Sequence, residues 1–379
     1  MECLVSNIAI LGSTGSIGCQ TLDIVRSFPS NFNVIGLAAG RNWKLLAQQI
    51  KEFRPEVFSS LHDPNAIRAM FSPECQYVPV EELVRLPQID LIMAAIVGNA
   101  GLGSVIAALT AGKTVALANK EPIVSAGELV TRIARESGGT ILPVDSEPSA
   151  IWQCIRGESQ TVSRIIITAS GGALRNYPLK DLSAVTPEAA LRHPTWSMGK
   201  KITIDSATLI NKAFEVIEAH WLFGIPWAQI DVVVHPESII HSMVEFVDGS
   251  VKAHLGIPDM RGPIQYALFQ GVRQHNPTLP QLNLAELGSL TFQPLDIEQY
   301  PCFSLALTAA QQGGTYPVVT SASDEVAVNL FLKGKIAFTD IHDIIRDTLH
   351  MHQSVSNPTL EDILAADAWA RRCAAELAK

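Results

Sequence analysis

The chain has 379 residues, too many for a single hydrophobic core, so two or three domains are expected. Apolar residues make up 47% of the sequence and charged residues 17%, a balance typical of soluble proteins with large buried cores. The net charge of −9 argues against general nucleic-acid binding and leaves room only for a local basic pocket.

The first 145 residues alternate between strand-like and helix-like segments. Strands are predicted at 6–11, 33–38, 56–60, 91–96, 114–117 and 140–144, and the helices between them include 17–27, 43–52 and 104–111. This alternation predicts a Rossmann-like parallel sheet with helices on both faces. The uncharged stretch 91–112 is long enough to cross a bilayer, but its central glycines favour a strand, a turn and a helix, so no membrane span is expected.

A glycine-rich turn follows the first strand, with Gly12, Gly15 and Gly18 spaced G-x-x-G-x-x-G before a helix. Such a turn lets the backbone approach a dinucleotide pyrophosphate, although many glycine-rich turns only turn the chain. The second strand ends in Gly40-Arg41-Asn42. An arginine there suits the 2′-phosphate of NADP better than the free ribose of NAD, and the alternative is an ordinary surface arginine.

The pattern changes after residue 144. Strands at 164–168, 231–235, 242–247 and 250–255, the last two joined by an Asp248-Gly249 turn, predict a second, α+β domain over 145–273 that contains one strong helix at 206–222. Residues 274–301 are predicted as a linker. Helical patterns at 303–312, 322–333, 338–349 and 359–377 predict a C-terminal helical bundle over 302–379, after an N-terminal domain at 1–144.

Two groups of polar residues suggest metal and phosphate chemistry. Asp145 and Glu147 are two apart, and in an extended strand they would face one side, where a hard divalent cation would relieve their repulsion. The alternative is a solvated acidic turn or a helix N-cap. On the predicted helix 206–222, Asn211, Lys212 and Glu215 share a face that could hold a third carboxylate and phosphate donors, or only a surface Lys–Glu pair.

For several other residues, a functional and a structural interpretation are both open. Ser206 opens the predicted helix, either as an N-cap or as a phosphate donor, and Ser170 begins a turn that is either an anion cradle or only tight. Residues 192–201 suit a lid that closes over a ligand, or a surface loop with a packed Trp. His235 and His241 are sugar-hydroxyl donors or structural, and Lys120 at a strand end binds ligand or forms a buried Lys–Glu pair.

The six cysteines are scattered without a C-x-x-C pair, which predicts neither a zinc cluster nor disulfides and fits a reducing, cytoplasmic setting. The N-terminus lacks a basic region followed by an apolar stretch, so no signal or transit peptide is expected.

Six segments together resemble the 1-deoxy-D-xylulose 5-phosphate reductoisomerases, NADPH enzymes of the non-mevalonate isoprenoid pathway. They are GSTGSIG at 12–18, ANKE at 118–121, VDSE at 144–147, ASGG at 169–172, HPTWSMGKKITIDSATLINKAFE at 193–215 and HPESIIHSM at 235–243.

The resemblance implies a role for each matching residue. The metal carboxylates would be Asp145, Glu147 and Glu215. The substrate residues would be Lys120, Ser146 and His193, the phosphate residues Ser170, Ser206, Asn211 and Lys212, with His241 near the pocket and Trp196 on the lid. The cofactor residues would be Thr14, Gly15, Ser16, Ile17, Gly40, Arg41, Asn42, Asn119, Glu121, Met198 and Gly199.

The implied reaction is a metal-assisted rearrangement of 1-deoxy-D-xylulose 5-phosphate, through a retro-aldol and aldol pair, followed by hydride transfer from NADPH. The implied cofactors are NADPH and Mg²⁺, Mn²⁺ or Co²⁺, and the implied assembly is a homodimer. The chain departs from the family pattern at Pro148, where the family usually has His, and at Ser321-Ala-Ser-Asp-Glu325, where an Asn-Ala-Ala-Asn-Glu type run is common. The alternative functions are a plain NADP-dependent dehydrogenase of a sugar phosphate and a non-catalytic NADPH sensor.

Overall fold

A computed structural model describes residues 5–68, 70, 75–158 and 162–378. The chain forms two compact units. The first comprises the described residues of Met1–Pro122, Val130–Ser149 and Asp259–Pro280, and the second those of Ile123–Leu129, Ala150–Pro258 and Gln281–Lys379. The domain boundaries expected from the sequence stay predictions.

The first unit contains a seven-stranded parallel sheet in the order β4-β3-β2-β1-β5-β6-β7. Its strands are β1 (Ser6–Leu11), β2 (Phe32–Ala39), β3 (Val57–Ser60), β4 (Gln76–Tyr77), β5 (Leu91–Ala94), β6 (Thr114–Leu117) and β7 (Thr140–Pro143). The predicted parallel sheet is confirmed, and only the two-residue strand β4 was not anticipated.

Helices accompany these strands, and the first six connect each strand to the next. They are α1 (Ser16–Ser27), α2 (Trp43–Phe53), α3 (Pro64–Arg68), α4 (Val80–Leu83), α5 (Leu102–Thr110), α6 (Glu121–Ser137), α7 (Ser146–Ile155) and α11 (Arg261–Leu268). Helices α6 and α7 contribute residues to both units. The uncharged stretch 91–112 folds as β5, a short 3₁₀ turn and α5, and among the described residues no helix is long and apolar enough to cross a membrane.

The strand order places a crevice at the carboxyl edge of this sheet, the side at which all seven parallel strands end. From β1 the chain moves outward to β2, β3 and β4, and then returns to build β5, β6 and β7 on the other side of β1. In a sheet wound in two directions, ligands bind where the winding reverses, at the carboxyl ends of the strands. This edge lies beyond Leu11 of β1 and Ala94 of β5, where the glycine-rich turn begins.

The second unit contains a five-stranded mixed sheet in the order β11-β10-β8-β9-β12. Its strands are β8 (Val162–Ala169), β9 (Ile230–Val234), β10 (Ile240–Phe246), β11 (Val251–Leu255) and β12 (Gln293–Pro294). Strands β8 and β9 are parallel and the other pairs antiparallel, with β10 and β11 joined by the predicted hairpin turn. Strand β12 lies within the predicted linker and pairs with β9.

The remaining helices also belong to the second unit. They are α8 (Pro187–Ala190), α9 (Lys200–Ala207), α10 (Ile210–Phe223), α12 (Leu284–Leu287), α13 (Pro301–Gln312), α14 (Tyr316–Leu332), α15 (Asp340–Met351) and α16 (Leu360–Leu377). Helix α14 packs against α13, α15 and α16, and the predicted C-terminal helical bundle is confirmed.

Two local predictions were wrong. The single helix expected at 206–222 is two helices, because Leu209 adopts a left-handed conformation with φ of +60° between α9 and α10. Ser206 therefore lies in the last turn of α9 and opens no helix. The strand before Asp145 ends at Pro143, so Asp145 directly precedes α7 and Glu147 lies in its first turn, rather than both lying in an extended strand.

Pro148 stands in the first turn of α7. A proline is tolerated there because the first backbone N–H groups of a helix have no partner within the helix. The substitution of Pro for the family's usual His therefore does not disturb the helix that carries Glu147.

Candidate active site

The glycine-rich turn of the first unit brings the end of β1 close to the start of α1. Gly12 has φ of +80°, and a Cβ atom there would lie 2.3 Å from the backbone oxygen of Ala95. Only glycine tolerates both the conformation and the close approach. The side chain of Gln49 braces the turn by donating to the Ser13 carbonyl and accepting from the Ser13 hydroxyl, both at 2.8 Å.

The N-terminus of α1 faces out of this turn. Gly15 is the N-cap and supplies no side-chain cap, while Gly15 and Ser16 are exposed and Thr14 and Ile17 half-buried. The first backbone N–H groups of a helix, together with its dipole, favour an anion at this end. The turn thus has the properties of a pyrophosphate site.

The Gly40–Asn42 segment lies at the same edge of the sheet, because β1 and β2 are adjacent. Arg41 is exposed, and the Asn42 side chain caps α2 by accepting the backbone N–H of Leu45 at 3.4 Å. The position of Arg41 suits contact with the 2′ group of an adenine ribose bound along this edge, whereas the Asn42 side chain has a structural task.

Lys120 and Asp145 meet at the carboxyl ends of β6 and β7. The Lys120 Nζ lies 2.8 Å from the Asp145 Oδ2, and both side chains are largely buried. Asp145 is therefore an ion-pair partner of Lys120. In the first turn of α7, the Ser146 hydroxyl donates to a Glu147 carboxylate oxygen at 2.5 Å. Nearby, the Asn119 amide donates to the Gly98 carbonyl at 3.4 Å, and Glu121 begins α6.

In the second unit, the polar face of α10 is buried. Glu215 is 1% exposed and Lys212 5%, and the Lys212 ammonium forms an ion pair with Glu215. The Asn211 amide donates to the other Glu215 oxygen at 2.5 Å. The three residues share a face as expected, but the alternative of an ordinary surface pair is wrong, because burial excludes bulk water from this carboxylate.

His193 is oriented by the loop that follows it. Its Nδ1 accepts the backbone N–H groups of Thr195 at 3.2 Å and Trp196 at 2.9 Å. Burial and then the positive charges of Arg175 and Lys212 lower the pKa of His193 to about 4, so the ring is neutral near pH 7. A neutral ring that accepts at Nδ1 carries its proton on Nε2.

Because Nε2 carries the proton, it donates a hydrogen bond to the Ser170 hydroxyl. The His193 Nε2 lies 2.9 Å from the Ser170 hydroxyl oxygen, which also accepts the backbone N–H of Gly172 at 3.1 Å. Because the oxygen accepts twice, the hydroxyl hydrogen of Ser170 is directed to a further acceptor, such as an oxygen of an anionic ligand.

Arg175 is a member of this cluster that the sequence analysis missed. Its guanidinium donates to the Ser170 carbonyl at 3.1 Å, and its charge acts on His193 together with that of Lys212. No motif marks Arg175, and the only sequence signal is the Gly171-Gly172 turn that brings it back toward Ser170. A guanidinium beside a serine donor, with the charge of Lys212 acting on the same histidine, forms a site suited to a phosphate.

The segment 192–199 contacts other parts of the second unit through Thr195 and Trp196. The Thr195 hydroxyl lies 3.0 Å from the Ser238 hydroxyl, and the Trp196 ring centroid lies 6.0 Å from that of His241. Gly199 is the N-cap of α9, after the half-buried Met198. At the start of α9, Lys201 pairs with Asp205 and Asp324 at 2.6 and 2.7 Å.

The two histidines of the second unit have different surroundings. His235 is fully buried, with Nδ1 at 2.9 Å from the Thr291 carbonyl and Nε2 accepting the backbone N–H groups of Ile239 and Ile240. Both ring nitrogens thus serve the fold, and the structural alternative holds for His235. His241 lies next to Trp196 and His254. No disulfide joins the cysteines that the structure describes, and Cys3 lies outside the described residues.

Comparisons with known proteins agree over nearly the whole chain. Residues 8–127 match the model of 1-deoxy-D-xylulose 5-phosphate reductoisomerase, and residues 141–223 and 255–373 match two models of its C-terminal domains. Reductoisomerases of this name from Pelotomaculum thermopropionicum and Desulforamulus reducens are 49% and 50% identical to this chain, with 97% of each chain covered.

Solved structures give the same result. The Zymomonas mobilis enzyme in complex with NADPH is 42% identical, with a TM-score of 0.91 over 99% of this chain and all of that one. A reductoisomerase bound to NADPH, fosmidomycin and magnesium is 37% identical, with a TM-score of 0.90 over 99% of this chain and 98% of that one. The chain belongs to the 1-deoxy-D-xylulose 5-phosphate reductoisomerase family.

Proposed function

We propose that this protein converts 1-deoxy-D-xylulose 5-phosphate to 2-C-methyl-D-erythritol 4-phosphate, using NADPH and a divalent cation, in isoprenoid precursor synthesis. Family membership over the full chain supports the reaction. The observation that carries the proposal is the pair of carboxylates, Asp145 and Glu215, each buried or nearly so against a lysine. A plain dehydrogenase needs no such carboxylates, and an NADPH sensor needs neither these nor the donors around Ser170.

In this proposal Asp145, Glu147 and Glu215 hold the cation. Carboxylate oxygens are the donors that Mg²⁺ and Mn²⁺ prefer, so the residues fit the ion. The lysines and hydroxyl that now contact these carboxylates reduce the cost of their burial before the ion binds. When bound, the cation would supply Lewis-acid polarisation of the substrate's ketone and neighbouring hydroxyl.

The phosphate of the substrate would be held by Ser170, Ser206, Asn211 and Lys212, with the charge of Arg175 nearby. The Ser170 hydroxyl hydrogen is left for a further acceptor, since the oxygen accepts two hydrogen bonds. Binding energy at the phosphate, away from the reacting carbons, can orient the substrate and hold the lid with Trp196 closed over it. Lys120, Ser146 and His193 would contact the substrate's oxygens, and His241 would line the pocket.

NADPH would bind along the edge of the parallel sheet. Thr14, Gly15, Ser16 and Ile17 would receive the pyrophosphate, and the Gly40–Asn42 segment the 2′-phosphate. Asn119, Glu121, Met198 and Gly199 would contact the remainder of the cofactor, with Met198 and Gly199 against the nicotinamide. The nicotinamide supplies the hydride. Homodimer formation and a cytoplasmic location stay predictions.

The first prediction tests the reaction itself. Consumption of NADPH, followed by its absorbance, should require 1-deoxy-D-xylulose 5-phosphate and Mg²⁺ together. Glu215→Gln should lower kcat by at least about a hundredfold, because it removes a metal carboxylate and the ion pair that this carboxylate forms with the buried Lys212. NADPH binding, measured by fluorescence titration, should stay near that of the wild-type protein.

The matched control is Glu245→Gln, which removes a carboxylate from a partly exposed ion pair with Arg164 in the same unit and should leave kcat unchanged. Turnover that survives a chelator would favour the plain dehydrogenase. Equal losses of turnover and NADPH binding in Glu215→Gln would refute the assignment of Glu215 to the metal.

The second prediction concerns the choice of nucleotide. Arg41→Ala should raise the KM for NADPH by about tenfold or more, because a charge-assisted hydrogen bond to the 2′-phosphate is lost. The KM for NADH should change little. Lys51→Ala, which removes a cation near the other end of α2, is the control and should alter neither constant. An unchanged ratio of the two KM values would remove Arg41 from the 2′-phosphate site.

The third prediction concerns His193. Its pKa in the free protein is lowered to about 4, below its usual value of 6.5, so the unfolded chain binds more protons between these pH values. The contribution of His193 to stability is therefore present above pH 6.5 and is lost as the pH falls toward 4. A bound phosphate should raise this pKa, because the anion favours the protonated ring.

NMR titration of the histidine rings checks this expectation. The His193 signal should titrate near pH 4 without phosphate and at higher pH with it, while the exposed His275 should not respond to phosphate. A His193 titration that phosphate leaves in place would place the anion elsewhere.

A further inference from the structure

The C-terminal part of the second unit contacts the turn that carries Ser170. Tyr300 directly precedes α13, is 4% exposed, and donates its phenol hydrogen to the Gly171 carbonyl at 2.9 Å. Its neighbour Gln299 donates its amide to the carbonyls of Leu174 and Arg175, at 3.2 and 3.0 Å. Two adjacent side chains therefore fix three carbonyls between residues 171 and 175, although more than a hundred residues separate them along the chain.

The turn depends on such support because two successive glycines form it. Gly171 and Gly172 have φ of +80° and +68°, a region that glycine adopts at little cost. Glycine also has access to many other backbone conformations, so the turn is not fixed by its own residues. A Cβ atom on Gly172 would lie 2.3 Å from the Ser206 carbonyl oxygen, so the turn lies directly against the end of α9. A small rotation here would displace both Ser170 and its contact with Gly172.

We propose that Tyr300, assisted by Gln299, is a positioning residue that holds the 170–172 turn in the orientation that binds the substrate's phosphate. The proposal rests on the proposed function, which places the phosphate at Ser170. Tyr300 touches no substrate in this account. It acts through the Gly171 carbonyl, and Arg175 joins the same arrangement by donating to the Ser170 carbonyl.

Two features of the surroundings suit this role. Burial raises the pKa of Tyr300 to about 12, so its phenol remains a hydrogen-bond donor at neutral pH. An open cavity lies beside the ring, lined by Leu174, Ala207, Thr208 and Tyr300 among others. Loss of the hydroxyl alone leaves the Tyr300 ring in place beside this cavity, so the effect should fall on the orientation of the turn and hence on ligand binding.

The test is Tyr300→Phe, which removes one hydroxyl and retains the ring. The KM for 1-deoxy-D-xylulose 5-phosphate and the Kd for inorganic phosphate, measured by calorimetry, should both rise about fivefold, the size expected for one lost hydrogen bond. The KM for NADPH should be unchanged, kcat should stay within about twofold, and the melting temperature should fall only slightly. Tyr177→Phe is the matched control, since Tyr177 is 41% exposed, and it should change none of these values.

A second variant, Gln299→Met, removes the other two donations and should shift phosphate binding in the same direction. If Tyr300→Phe does not fold, Gln299→Met still decides the question. Phosphate affinity and substrate KM equal to those of the wild-type protein would overturn the proposal, as would an equal rise in the KM for NADPH. If the wild-type protein binds phosphate but does not turn over the sugar phosphate, the proposed function fails while the phosphate measurement still tests Tyr300.

Discussion

Burial of charge is the constraint on which the proposed site depends. Lys120 and Asp145 are paired in the first unit, and Lys212 and Glu215 in the second, with little exposed surface on any of them. An isolated charge buried in this way would cost several kcal/mol, and removal of one partner leaves the other uncompensated. The fold therefore holds Asp145 and Glu215 away from bulk water with a lysine beside each, where a divalent cation can bind them strongly.

The same constraint explains the anion site. Beside Ser170, His193 is neutral near pH 7, because burial and then the charges of Arg175 and Lys212 disfavour its protonation. A phosphate would reverse this balance by bringing negative charge to a site that already contains donors. The two units thus offer different chemistry: an edge of a parallel sheet suited to a dinucleotide, and a turn with cations and a serine suited to a phosphate.

Much of this could be predicted from the sequence, because it follows from local pattern. The alternation of strand-like and helix-like segments predicted the parallel sheet, and the glycine spacing predicted the turn after β1. The sequence-based predictions failed where the backbone conformation changes but the spacing of the apolar residues does not. The apolar spacing continues across Leu209, so the break between α9 and α10 leaves no signal, and Pro143 ends β7 two residues before the predicted metal carboxylates begin.

Contacts between segments that lie far apart along the chain could not be predicted from the sequence either. Arg175 and Tyr300 carry no motif, and their roles follow from where the Gly171-Gly172 turn and the start of α13 meet. By contrast, Asn211, Lys212 and Glu215 could be grouped in advance, since spacings of three and four residues place side chains on one face of a helix. Their burial could not be foreseen, because it depends on the packing of α10 rather than on its own sequence.

The most direct test of the account is a measurement of Mn²⁺ binding by electron paramagnetic resonance. The wild-type protein should bind one tight ion per chain, and Asp145→Asn, Glu147→Gln and Glu215→Gln should each weaken that binding by about tenfold or more while the fold is retained. An ion bound equally well after Glu215→Gln, or the absence of a tight site in the wild-type protein, would contradict the claim that three carboxylates from separate segments hold one cation.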